Sequence, residues 1–189
     1  MTDPSAEENV PDRYRRLATR MTTLIGGVPD NAWSRTTPCE EWTVRDLVGH
    51  LVEAHGRFQS LVGRSLEEHP AVADDPAGAW TVARDQMQAD LDDPVRRDEE
   101  YDGRFGRARF ADSVDGFIGF DLVVHGWDLA RATGQDETIE PADVARVQQQ
   151  VDRMVDTMRE NGVVGEAVEP APDASAQDRL LNALGRRTA

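Results

Sequence analysis

Apolar residues recur at helical spacing along almost the whole chain, and no period of two persists long enough to demand a sheet. Such a chain buries its apolar stripes by packing helix on helix. Leu17, Met21, Leu24, Ile25 and Val28 mark a first helix, stopped by Gly26, Gly27 and Pro29. A second begins at Thr43, placed to cap it with Asp46 three residues on, while Trp42 occupies the hydrophobic-staple position. Its stripe is Leu47, His50, Leu51, Ala54, Phe58 and Leu61. A weaker third helix, about 76–91, carries Trp80, Ala83, Met87 and Leu91, and a fourth, about 111–132, is closed by Gly134. A fifth presents Val144, Val147, Val151, Met154, Val155 and Met158, with Pro141 in its first turn, where proline is tolerated. From 162 to 175 the chain is rich in Gly, Pro and Ala and reads as an arm over the bundle. That arm ends in a short helix capped by Ser175, with Leu180, Leu181 and Leu184 as its apolar face. The expectation is an all-α, up-down four-helix bundle forming one domain over 1–189, with the bundle at about 12–160 and the arm at about 162–189.

Charge narrows the function classes. The 189 residues hold 36 acidic against 21 basic side chains, a net −15, and every basic one is arginine. Without lysine there is no Walker-A loop, no Schiff-base chemistry and no kinase-type ATP site. The acidic balance argues against nucleic acid and anionic membranes as partners, since neutralising phosphates needs clustered positive charge. No apolar run approaches the ~20 residues of a membrane span. Met1 to Val10 is polar with no apolar stretch of a secretory signal, so a cytoplasmic location is expected. Residues 66–103 contain 12 acidic and 3 basic residues, so −9 of the −15 lies there. That stretch is either a solvated helix face with polar loops or a repulsive, protein-docking surface.

Three residues stand out as chemistry. His50 lies on the apolar stripe of the second helix, and Asp121 and His125, four apart, stack on one face of the fourth. That face also bears Val114, Phe117, Ile118, Val124 and Leu129, so the carboxylate needs either a histidine partner or a metal. Two imidazoles and one carboxylate suit zinc with an open position, and equally the facial set of ferrous iron. His55 is rotated about 140° from His50 and should face elsewhere; His69 sits in the acidic loop and should be solvated. Asp128 either bonds a ligand histidine from behind or is a surface carboxylate near Arg131. Asp46 either orients His50 or only caps its helix. Cys39, the single cysteine, leaves no intramolecular disulfide to form. Beside Glu40 and Glu41, which would raise its pKa, it reads as a packed small hydrophobe rather than a nucleophile. The sequence lacks G-x-S-x-G, C-x-x-C, H-E-x-x-H and any dinucleotide-type glycine loop.

The stretch Thr37-Pro38-Cys39-Glu40-Glu41-Trp42-Thr43-Val44-Arg45-Asp46-Leu47-Val48-Gly49-His50-Leu51 resembles a signature of the DinB-like, mycothiol-dependent maleylpyruvate isomerase N-terminal domain superfamily. The segment from Asp121 through His125-Gly126-Trp127-Asp128 to Gly134 resembles its second signature. The tail Gln177-Asp178-Arg179-Leu180-Leu181, followed by Leu184-Gly185-Arg186, is similar to the ending of an actinobacterial metal-binding subfamily. The resemblance implies a DinB-type four-helix bundle holding a divalent metal at His50, Asp121 and His125, with zinc ahead of nickel or iron. It also implies a low-molecular-weight thiol cofactor such as mycothiol, activated by the metal to attack a small electrophile. Trp80, Trp127 and Phe117 are the candidates for holding that electrophile, and Arg131 is a candidate for the surroundings of the ligands or the pocket. Two departures matter: the isomerase has glutamate where this chain has Asp121, and 189 residues leave no room for the isomerase's C-terminal domain. A thiol transferase or isomerase of another substrate is therefore expected, rather than the maleylpyruvate activity. The alternative is a non-catalytic metal-binding or stress-response domain; a homodimer is left open.

Overall fold

The computed structural model describes residues 8–39, 42–103 and 106–188. Helix α1 (Val10–Gly26) starts where the Asn9 side chain accepts a hydrogen bond from the Asp12 N–H, and it ends at the glycine pair. Helix α2 (Val44–Ser60) carries the complete capping box read at Thr43: the threonine side chain accepts from the Asp46 N–H, and the Asp46 carboxylate accepts from the Thr43 N–H. Helix α3 (Pro76–Asp92) is capped by Asp75 and starts on a proline. A short α4 (Pro94–Arg97) leads into an antiparallel hairpin, β1 (Glu100–Gly103) and β2 (Gly106–Arg109), with Glu100 opposite Arg109. This hairpin departs from the purely helical expectation. Its strands are four residues long and mostly exposed, so they carry no apolar alternation to read.

The fourth expected helix is one continuous run made of α5 (Phe110–Ser113), a π-helical turn (Val114–Ile118) and α6 (Gly119–Thr133). It stops at Gly134, whose φ of 74° is the left-handed conformation that glycine adopts without strain. The π turn has a tertiary partner. Arg13 of α1, 3% exposed, reaches under it to the Asp115 carboxylate at 2.9 Å, and a Cβ on Gly119 would meet its Nη1 at 2.5 Å. Helices α7 (Pro141–Glu160) and α8 (Ala176–Ala183) follow, the latter with a Ser175/Asp178 capping box.

Helix α1 packs against α3 and α6, and α2 packs against the same two, so these four helices enclose the core. Met21, Leu51, Trp80, Met87, Ile118 and Leu129 are all within 1% of full burial there. Helix α7 lies outside this ring, chiefly against α8, and is tied to α1 through Asp143. That carboxylate accepts from Arg16 at 2.7 Å and from Arg13 at 3.4 Å. Leu180, Leu181 and Leu184 of the arm are buried as their spacing predicts. In the acidic stretch every carboxylate except Asp90 and Asp93 is exposed, which favours the solvated-face reading. Buried Asp90 is held by Arg64 and Arg96. Among the described residues no helix is long and apolar enough to cross a membrane.

Candidate metal centre

The packing of α2 against α6 brings His50, Asp121 and His125 together. The His50 Nε2 lies 3.2 Å from one Asp121 oxygen, and the His125 Nε2 lies 3.9 Å from the other. The two imidazoles meet edge-on with centroids 5.1 Å apart, and one donor atom from each of the three residues falls within 4.8 Å of the others. Donors at 2.0–2.2 Å from one tetrahedral zinc lie about 3.3–3.6 Å apart, so the imidazoles would have to close on a cation to complete the site. The carboxylate is less buried than its apolar helix face suggests. His50 and Asp121 each keep 23% of their side-chain exposure, against 9% for His125, so the cluster opens to solvent on one side.

Proton accounting at His125 bears on what this cluster could hold. Its Nδ1 is 3.0 Å from an oxygen of Asp128, which is fully buried. Burial alone would push the Asp128 pKa up, but the hydrogen bond from His125 and the Arg186 guanidinium hold it below the ordinary carboxylate value. An ionised carboxylate only accepts, so the Nδ1 of His125 carries a proton, and it is the Nε2 whose lone pair would be available to a cation. That lone pair faces Asp121, another acceptor. Such an arrangement suits a cation between them, and the donor set therefore fits a divalent metal.

Trp42 forms a wall of the cluster, its ring centroid 4.6 Å from His50 and 5.6 Å from His125. It comes from a loop pinned at both ends: the Thr37 N–H donates to the Trp42 carbonyl at 2.9 Å, and the Trp42 N–H donates to the Cys39 carbonyl at 3.2 Å. The same loop brings Cys39 beside the cluster, with its sulfur within 4.8 Å of donor atoms of both His125 and Asp128. The thiol is half-buried next to polar groups, which corrects its reading as a packed hydrophobe. Glu40 and Glu41, expected to raise its pKa, lie outside the described residues.

Other sequence candidates fall elsewhere. Asp128 takes the role behind His125, and its cation is Arg186, not Arg131. Arg131 is exposed, pairs with Glu137 and lies over the Trp127 ring. Asp46 is exposed and engaged in the capping box, which corrects its candidacy as an orienter of His50. Trp80 and Trp127 are each 1% exposed and belong to the core, not to a pocket; Trp80 donates from Nε1 to the Thr22 hydroxyl. Phe117 is 43% exposed, its ring tilted against Phe58 with centroids 5.6 Å apart. It lines a surface cavity of about 430 Å³ with Asp115, Arg146, Arg153 and Met154, which the metal cluster does not line. His55 faces Tyr14, as its helical angle predicts. His69 is half-buried rather than solvated, with its Nδ1 2.8 Å from the Pro70 carbonyl. Trp42 and Arg186 were not legible as site residues. The staple position accounted for the first, and Arg186 lies 58 residues from its partner.

The sequence profile of the mycothiol maleylpyruvate isomerase N-terminal domain matches residues 14–130. Two uncharacterized proteins of Mycobacterium tuberculosis, one from strain CDC 1551 / Oshkosh and one from strain ATCC 25618 / H37Rv, are each 30% identical over 133 residues, covering 68% of this chain and 69% of each relative. No solved structure gives a significant match.

Proposed function

Because the chain belongs to the mycothiol maleylpyruvate isomerase N-terminal domain family, we propose that it is a metal-dependent thiol transferase or isomerase. It would use a low-molecular-weight thiol such as mycothiol on a small electrophile. The observation that carries this reading is Asp121, set between two imidazoles with one oxygen toward each. His50, Asp121 and His125 hold the cation, zinc by preference and nickel or iron as alternatives, and the partly exposed side of the cluster leaves a position open. A divalent cation there lowers the pKa of a thiol at its open position, supplying the nucleophile at neutral pH. Two neutral imidazoles and one carboxylate leave that position a net positive charge, which favours the thiol's anion. Asp128 keeps the Nδ1 proton of His125 in place, so the Nε2 stays a donor. Trp42 excludes water from one wall. The new S–C bond would form on the cofactor sulfur after its thiol proton passes to solvent, as the electrophile breaks a π bond in addition or its bond to the leaving group in substitution; no cysteine of the chain is needed as nucleophile.

The test has two stages. Elemental analysis of protein purified without chelator or nickel affinity should find a divalent metal that is lost in His50→Ala and His125→Ala. Equal metal in all three proteins defeats the assignment. The metal-loaded protein is then incubated with mycothiol and electrophiles such as monochlorobimane. Conjugation above the buffer rate supports the enzyme; metal binding with only the buffer rate, across thiols and metals, favours a non-catalytic metal-binding domain.

A further inference from the structure

The cation that balances Asp128 comes from the far end of the chain. We propose that Arg186 is a positioning residue for the metal centre, fixing Asp128 and through it His125, so that the C-terminal arm sets the site's geometry. This rests on the reading of His50, Asp121 and His125 as ligands. Arg186 engages both oxygens of Asp128, with Nε 3.2 Å from Oδ1 and Nη2 2.9 Å from Oδ2. A two-point contact fixes the plane of a carboxylate as well as its charge. The same Oδ2 accepts from the His125 Nδ1 at 3.0 Å, so the carboxylate plane dictates where the imidazole points. Asp128 is fully buried and Arg186 is 6% exposed, which leaves water little access to substitute for either.

The arm is built to deliver that guanidinium. Gly185 has a φ of 86°, and a Cβ on it would lie 3.0 Å from the Gly165 Cα and 3.1 Å from the Glu166 carbonyl. The chain therefore turns there only as glycine. The Asn182 amide donates to the Arg186 carbonyl at 2.8 Å, and Arg186 Nη1 donates to the Leu184 carbonyl at 3.0 Å. Leu180 and Leu181, both fully buried, anchor the helix from which this turn leaves. None of these contacts involves a ligand residue, so the position of Arg186 is set before any metal binds. Arg186 also lies beyond the family match, which ends at residue 130. Lysine cannot substitute, because a single ammonium lacks the planar fork.

Co(II) is the probe, titrated into the full-length chain against a competing chelator while its visible ligand-field bands are recorded. Arg186→Gln should lower affinity about 10- to 100-fold, the range for losing a residue that supports a ligand histidine, and should alter the bands. Arg186→Lys, which keeps the buried charge and so the fold, should lose less but still show the altered bands. Arg179→Gln, an exposed arginine on α8, the helix before that turn, should match wild type. A readout independent of metal is the imidazole ¹⁵N spectrum of the metal-free protein. His125 should be a single Nδ1–H tautomer in wild type and a mixture in both Arg186 variants. A folded Arg186 variant with wild-type affinity, bands and tautomer overturns the proposal. If wild type binds no Co(II), the ligand reading fails instead, and the tautomer measurement alone decides whether Arg186 positions His125.

Discussion

His55 should make this protein acid-labile in a defined window. The side chain is fully buried in the core, its Nδ1 2.7 Å from the Leu51 carbonyl and its Nε2 2.9 Å from the Tyr14 hydroxyl. A carbonyl only accepts, so the Nδ1 carries the proton and the Nε2 of the neutral ring accepts from Tyr14. Burial pushes the pKa down to about 4, against the opposing pull of the Leu51 carbonyl and Asp121 and with help from His50. Because the folded value lies below the unfolded one of about 6.5, the unfolded chain takes up the proton first as pH falls. The stability from keeping His55 neutral is therefore complete above about pH 6.5 and is lost progressively down to about pH 4. Between pH 7.5 and 4.5 the loss amounts to about 2.5 kcal/mol, a large share of the 5–15 kcal/mol typical of a domain. The assay is urea unfolding followed by far-UV circular dichroism across that range, on wild type and His55→Leu. A chelator is included because any metal bound at His50 and His125 would be released in the same window and add to the stability loss. The substitution removes the titration while leaving the Tyr14 hydroxyl a second partner, the Arg84 carbonyl at 3.3 Å. Other titrating groups are common to both proteins and cancel. The wild-type curve should fall about 2.5 kcal/mol further than the variant's; parallel curves refute the argument.

Other perturbations test the site and the frame around it. Asp121→Asn keeps the size of the side chain and removes its charge, so zinc affinity measured against a competing chelator should fall at least ~10–100-fold. Asp121→Glu should retain metal, and unchanged affinity in the asparagine variant would reduce the site to two histidines. Co(II) should quench part of the tryptophan emission, and Trp42→Phe should remove most of that quenching, because Trp42 flanks both imidazoles while Trp80 and Trp127 are core residues. Equal quenching in the variant would place the ion elsewhere. Asp143→Ala should cost about 3 kcal/mol in urea unfolding, the low end for a broken buried ion pair, since Arg13 keeps Asp115. An unchanged midpoint would mean that α7 is held to α1 by its apolar stripe alone.

The features that were legible in the sequence are those whose causes are local. Thr43 and Ser175 cap their helices through partners three residues on, and Gly134 ends α6 through its own backbone freedom. Asp121 and His125 share a face because four residues make about one helical turn, and His50 joined them once its stripe was read as facing the core. The features missed have causes distant in sequence. The π turn before Asp121 packs on Arg13, whose contact with Asp115 spans 102 residues. Asp128 shows the boundary between the two kinds. Its spacing placed it behind His125 but left open whether it was a surface group, and the answer came from an arginine 58 residues away. The contrast between the two aspartates on α6 carries the argument further. Asp128 is fully buried and has its charge balanced by the fork of Arg186. Asp121, two turns earlier, is partly open to solvent, and the side chains at its oxygens are the nitrogens of two imidazoles. One carboxylate is compensated by a guanidinium of the chain, and the other meets only two imidazoles, the division expected between a group that would support a cation site and a group that would belong to it.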